Sequence, residues 1–241
     1  MGKERVLPEE LRKMVTFSKR DFTEVMARRY GLTEPQSTYD LLKKIERGEL
    51  IRIGWGQFAV SEGKRIYRHL YSDAVRQIVS ELESHFSGLD FRIFEVIQMN
   101  EFMNHQIAHN TIIVSVENDL IEYVFDMLWT AHPGKVMLKP AVSTYYRYIQ
   151  DDIIVINRLP SETPKGFDEY WQSRLETILV DVLVDKFVSG IIPDNEKRAV
   201  TEGIYASYSI DEKTMLTYAR RKGAVKKLQT ALSIYRKAEE S

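Results

Sequence analysis

The sequence predicts an α/β (α+β) protein in two parts: a small helix-helix-hairpin module over residues 1–70 and a larger mixed-sheet α/β domain over residues 71–241, whose C-terminal part is helical. Three observations predict it. Two short amphipathic helical runs are followed by β-prone runs around a Gly-x-Gly tip within the first 60 residues. Between residues 89 and 157, short β-prone runs alternate with helical segments. The charge also changes along the chain, with 15 Lys/Arg against 10 Asp/Glu in residues 1–70 and 19 against 25 in the remainder. The basic first part suits an anionic partner.

Composition bounds the rest. A chain of 241 residues with 44% apolar content can bury a real core. With no cysteine, disulfides, thiolate zinc sites and cysteine nucleophiles are excluded, and a reducing compartment is expected. The N-terminus is charged and no secretory signal is visible, so the cytoplasm is the expected location. Even Leu175 to Val188 is broken by Glu176, Asp181, Asp185 and Lys186, so no membrane span is expected.

In chain order, Ser18-Lys-Arg-Asp21 has the Ser-x-x-acid form of a helix start, and Phe22, Val25, Met26 and Tyr30 recur at helical spacing until Gly31. Thr33-Glu34-Pro35 starts a second helix with apolar Leu41, Leu42 and Ile45, ended by Gly48. Leu50 to Val60 then places two β-prone runs around Gly54-Trp55-Gly56, a hairpin tip. Two helices joined by a few residues and followed by a hairpin spell a winged helix-turn-helix. In that module the second helix enters the major groove and the wing lies along the backbone or minor groove. The expected readers are Gln36, Ser37, Thr38, Tyr39, Lys43, Lys44 and Arg47 on the helix, with Arg52, Trp55 and Gln57 on the wing; the cations would neutralise phosphates. The same cations also fit the solvated face of an amphipathic helix in an interaction domain.

In the larger domain a helix is expected over Asp73 to Phe86. Strands are expected over Asp90 to Ile97, Thr111 to Val116, Lys135 to Leu138 and Asp152 to Asn157, with helices at Met99 to His105 and Asn118 to Ala131 between them. Arg174 to Val188, apolar over most of its circumference, reads as a central buried helix. Further helices are expected over Glu196 to Tyr208, Glu212 to Arg221 and Val225 to Glu239.

Candidate chemistry is sparse. His105 and His109 have the i, i+4 spacing of a zinc grip, but Gln106 stands where a metalloprotease needs its general base, and both read as surface or helix-end residues. No metal or cofactor is expected. Asp181 and Asp185, four apart with Arg174 on the same polar stripe, fit either a magnesium pair or a structural or partner-facing ion-pair stripe. Glu176, on the apolar side, needs a buried partner. Arg220-Arg221-Lys222 concentrates charge at a helix end, which helix capping explains and an anion or acidic partner would exploit.

Three stretches together resemble the bacterial abortive-infection antitoxins of the AbiEi type and their relatives. Arg47-Gly-Glu-Leu-Ile-Arg-Ile-Gly-Trp-Gly-Gln-Phe58 resembles their wing, Leu175-Glu-Thr-Ile-Leu-Val-Asp181 their core-helix motif, and Tyr218-Ala-Arg-Arg-Lys-Gly223 their late Tyr-Ala-Arg-Arg-x-Gly. The resemblance implies a winged helix that represses its own operon on double-stranded DNA, and a non-enzymatic C-terminal domain that counters a cognate nucleotidyltransferase toxin. Leu175 departs from the charged residue that some members carry before Glu176. Two other expectations stand beside it: an enzyme acting on nucleic acid or nucleotides with Asp181 and Asp185 as metal-binding carboxylates, and a scaffold whose winged helix binds protein only.

Overall fold

In a computed structural model the chain is a mixed α/β protein with two small sheets. The structure describes residues 5–14, 16–54, 56–61 and 66–236, with the side chains of residues 46, 52–54 and 236 outside that description. The chain forms two compact units: residues up to Tyr67 together with Tyr205–Lys213, and Arg68–Ile204 together with residues from Thr214 onward.

The first unit runs α1 (Glu9–Arg12), β1 (Phe17–Ser18), α2 (Lys19–Tyr30), α3 (Glu34–Glu46), β2 (Leu50–Gly54) and β3 (Gln57–Val60). At the start of α2, Ser18 and Asp21 form a capping box: the Asp21 N–H donates to Ser18 Oγ at 3.1 Å and the Ser18 N–H to Asp21 Oδ2 at 2.8 Å. Gly31, at φ 66°, ends the helix in the left-handed region that glycine adopts without strain. Phe22, Val25 and Met26 on the inner face of α2 meet Phe17, Leu41, Leu50 and Phe58 in one core. Each such burial is worth about 2 kcal/mol against about 1 kcal/mol for the cap, so the core makes the helix and the cap fixes where it begins. Both neighbours of β3 are antiparallel, in the order β1-β3-β2. The segment 205–213 belongs to this unit, with Ser209 Oγ 2.6 Å from Ser61 Oγ and Tyr208 edge-on to Tyr67.

The second unit is built on β4 (Phe91–Glu95), β5 (Thr111–Val116), β6 (Val136–Leu138) and β7 (Ile153–Arg158), in the order β4-β5-β7-β6. Strand β4 is antiparallel to β5, whereas β5, β7 and β6 are parallel. Helices α4 (Asp73–His85) and α5 (Ile121–Ala131) bury Val75, Ile78, Leu82, Val124 and Leu128 against Ile93, Ile112, Val114, Ile154 and Ile156 on one sheet face. Ile113 and Val155, on the opposite face, are buried too. Burial on both faces explains the near-continuous Ile/Val runs of β5 and β7. The remaining helices are α6 (Val142–Tyr148), α7 (Leu175–Val184), α8 (Val188–Ile191), α9 (Asp194–Ser207), α10 (Glu212–Arg221) and α11 (Val225–Arg236).

Three expectations need correction. The helix expected over Met99 to His105 is a 3-10 turn over Val96–Glu101 followed by a loop, which the Asn100 side chain brackets by bonding both the carbonyl (3.0 Å) and the N–H (2.7 Å) of Ile107. The long helix expected over Arg174 to Val188 stops at Val184, because Asp185 Oδ1 accepts the N–H groups of Phe187 (2.9 Å) and Val188 (3.0 Å) and diverts the backbone into α8. Helix α6 was not expected: Val142-Ser-Thr-Tyr-Tyr-Arg-Tyr148 is β-prone, and the buried Tyr145, whose hydroxyl lies 2.7 Å from Thr111 Oγ1, anchors it by packing instead. No helix among the described residues is long and apolar enough to cross a membrane.

Candidate functional site

Two features bring polar side chains together, one in each unit. In the first unit, Gly31, Leu32 and Thr33 join α2 to α3, and Gln36 closes the start of α3 by accepting the Thr33 N–H at 3.0 Å. The outer face of α3 carries Gln36, Tyr39, Leu42, Lys43 and Arg47, with Tyr39 66% exposed and Lys43 Nζ 6.0 Å from its ring centre. Thr38 is half-buried and its hydroxyl bonds the Glu34 carbonyl at 2.9 Å. Gln57 is exposed in β3, opposite Ser18. Trp55 lies outside the described residues, as does the side chain of Arg52, whose backbone pairs with Phe58.

Two of the expected groove residues face inward. Ser37 is fully buried, and Lys44 is 2% exposed, with Nζ donating to the Arg5 carbonyl at 2.6 Å and to Glu49 Oε2 at 2.8 Å. The long lysine stem fills the inner side of α3 and its ammonium is satisfied there, so neither residue is available to read a groove.

In the second unit a cavity of about 320 Å³ opens at the carboxyl ends of the three parallel strands. Ser115 of β5 and Asn157 of β7, paired across the sheet, form its floor beside Arg158, and Lys139 follows the end of β6. Asp181 of α7, Asp185 directly after it, and Tyr218 and Arg221 of α10 close the other side, with Lys222 directly after α10. Sharing a cavity with Ser115 and Asn157 sets α7 on the face of the sheet opposite α4 and α5.

Within this cavity Lys222 Nζ bridges Asp181 Oδ1 at 2.6 Å and Asp185 Oδ2 at 2.7 Å, and the Tyr218 hydroxyl donates to Asp181 Oδ2 at 3.1 Å. Burial pushes the Asp181 carboxyl up to about 6, against the pull of the Lys222 charge and with the help of Asp185. Burial acts on Asp185 in the same direction but is outweighed by Lys222 and by the N–H groups of Val188 and Phe187, so its carboxyl sits below the usual range. The Lys222 ammonium is held above its ordinary value by the two carboxylates despite burial. Tyr218 is raised well above its own by burial and the Asp181 charge. The cluster therefore holds one firm cation, one firm anion, a neutral phenol and a carboxyl poised near pH 6.

The expected grouping of Arg174 with Asp181 and Asp185 is corrected. Arg174 is the residue before α7, its guanidinium lies 4.2 Å from the Phe167 ring, and it pairs with buried Glu176 at 3.1 Å. Glu176 thus pairs with the half-buried Arg174, and the partner of the two aspartates is Lys222, from a segment about forty residues later. A divalent ion at Asp181 and Asp185 would have to displace that ammonium. Arg221 pairs with Glu162, and Arg220 is exposed. His105 and His109 are not on a helix; they bond Glu196 (2.6 Å) and Asp151 (2.8 Å).

The profile of one family matches residues 37–238, most of the chain and the whole of the cavity. The chain belongs to DUF6577, a family of unknown function. No curated protein matches it. Within this DUF6577 chain, sequence reasoning missed Ser115, Lys139, Asn157 and Arg158. The usable signal was the polar pair Asn157-Arg158 closing a buried apolar run, which is how a parallel strand presents its carboxyl end.

Proposed function

We propose that this chain is a DNA-binding regulator of the antitoxin kind, which reads duplex DNA with α3 and represses its own operon, while the second unit contacts a nucleotidyltransferase-like toxin. The observation that carries the DNA reading is the arrangement of α2, a three-residue turn containing Gly31, α3 and the β2–β3 hairpin, with α3 turned outward along Gln36, Tyr39, Lys43 and Arg47. Such a helix supplies an amide for base edges and cations for phosphates. Lys19, at the start of α2, ties that helix to the hairpin through its backbone N–H, which donates to the Gly56 carbonyl at 3.2 Å, and its ammonium pairs with Glu34 at the start of α3 at 3.6 Å. The partner role rests on the likeness of the segments Leu175–Asp181 and Tyr218–Gly223 to antitoxin motifs; Asp181, Tyr218 and Lys222 meet in one cluster.

A gel-shift titration of the full chain against DNA from upstream of its own reading frame, with unrelated DNA as competitor, tests the regulator. Retarded upstream DNA that resists competitor supports it, and no retardation at about 50 mM salt contradicts it. Lys43→Ala with Arg47→Ala is expected to weaken binding at least tenfold, whereas Lys226→Ala, at an exposed cation of the second unit, leaves it unchanged.

A further inference from the structure

The carboxyl edge of the parallel strands carries more positive charge than its ion pairs consume. Lys222 is neutralised by Asp185 and shares Asp181, and Arg221 is engaged by Glu162 at the rim. Lys139 and Arg158 line the same cavity from two different strand ends, both are exposed, and neither makes an ion pair with a described residue. Lys139 is held at φ 41°, a left-handed conformation that a lysine rarely adopts, with its N–H tied to the Ile156 carbonyl at 3.0 Å. Ser115 and Ser161 hydroxyls and the Asn157 amide add donors.

We propose that this cavity binds a small phosphorylated metabolite, its phosphate gripped by Lys139 and Arg158 and its polar remainder by Ser115 and Asn157. Cations from two separate strand ends, neither paired with a carboxylate of a described residue, suit a many-oxygened dianion better than a single carboxylate, which one bidentate arginine satisfies. A cavity of about 320 Å³ is of small-ligand size and is concave, unlike the open surface that a nucleic-acid backbone needs. Its place outside the carboxyl ends of parallel strands is where open α/β sheets receive such ligands. The Asp181–Lys222–Asp185 bridge closes the opposite wall, with the ammonium set between the two carboxylates.

Calorimetric titration of the full chain with pyrophosphate, 5′-AMP, adenosine and a ten-residue oligothymidylate tests this. Pyrophosphate and 5′-AMP are expected to bind in about the micromolar range and adenosine at least about tenfold more weakly. The double variant Lys139→Gln/Arg158→Gln is expected to lose about tenfold or more in affinity for both phosphates with an unchanged melting temperature when ligand-free. Absence of binding by both phosphates up to about 5 mM, unchanged affinity in the double variant, or oligothymidylate binding more tightly than 5′-AMP would each overturn it. DNA retardation by α3 is scored separately, so either reading can fail without the other.

Discussion

At Asp181 the chemistry of the cavity is set by one carboxyl placed where burial and a neighbouring carboxylate oppose an ammonium. The groups facing it are Lys222, Asp185 and Tyr218, with Arg221, Lys139 and Arg158 around the same cavity. Its pKa of about 6 lies above the ordinary 3.8, so between those values the folded chain holds a proton that the unfolded chain has released. From this group, stability falls as pH rises from about 4 to about 6, and Asp181→Asn removes that part of the slope. Carbon-13 NMR of the Asp181 carboxyl is expected to give a midpoint near 6; a midpoint near 3.8 would mean that the carboxyl is not buried against Asp185 as described. Removing the ammonium by Lys222→Met leaves two carboxylates facing one another and is expected to cost about 3 kcal/mol, read by urea denaturation.

Among the elements, the close approaches are set by small residues. A Cβ at Gly190 in α8 would lie 2.6 Å from Val142 Cγ2 in α6, so Gly190→Ala is expected to cost about 1–3 kcal/mol, measured by thermal unfolding. Ser18→Ala removes the cap of α2 and is expected to cost about 1 kcal/mol, with the helix retained because Phe22, Val25 and Met26 still pack. At this scale the sequence was informative wherever a cap, a glycine or a run of β-branched residues marks a boundary, as in α2, β5 and β7. It was silent where tertiary packing decides. Six of the seven residues of α6 are poor helix formers by propensity, and the break after Val184 comes from a side chain, Asp185, that periodicity counts only as polar. Amphipathic spacing also put Lys44 and Ser37 on the outer face of α3, because a lysine that spends its ammonium on Glu49 and a carbonyl has no distinguishing pattern. The aspartate pair was legible as a pair. Its true partner, Lys222, lies on a segment that sequence spacing cannot relate to α7, so the nearby Arg174 took its place in the reading.

For the molecule as a whole, the proposed tasks divide between the two units: duplex reading by α2, α3 and the β2–β3 hairpin of the first, and partner or ligand binding at the carboxyl ends of the parallel strands of the second. The excess of cations over residues 1–70 fits the first proposed task, and the local excess at Lys139 and Arg158 fits the second, although the residues after 70 are acidic in sum. Net charge per segment drew attention to the first 70 residues and concealed the cavity. The central claim is that α3 docks on DNA through Lys43, Arg47 and neighbouring cations, and the salt dependence of affinity tests it most directly. Fluorescence anisotropy on a duplex from upstream of the reading frame, between about 50 and 200 mM salt, is expected to give a log–log slope of about −3 to −5, shallower by about 1 for Lys43→Ala. A slope near zero, or one that Lys43→Ala leaves unchanged, would contradict it.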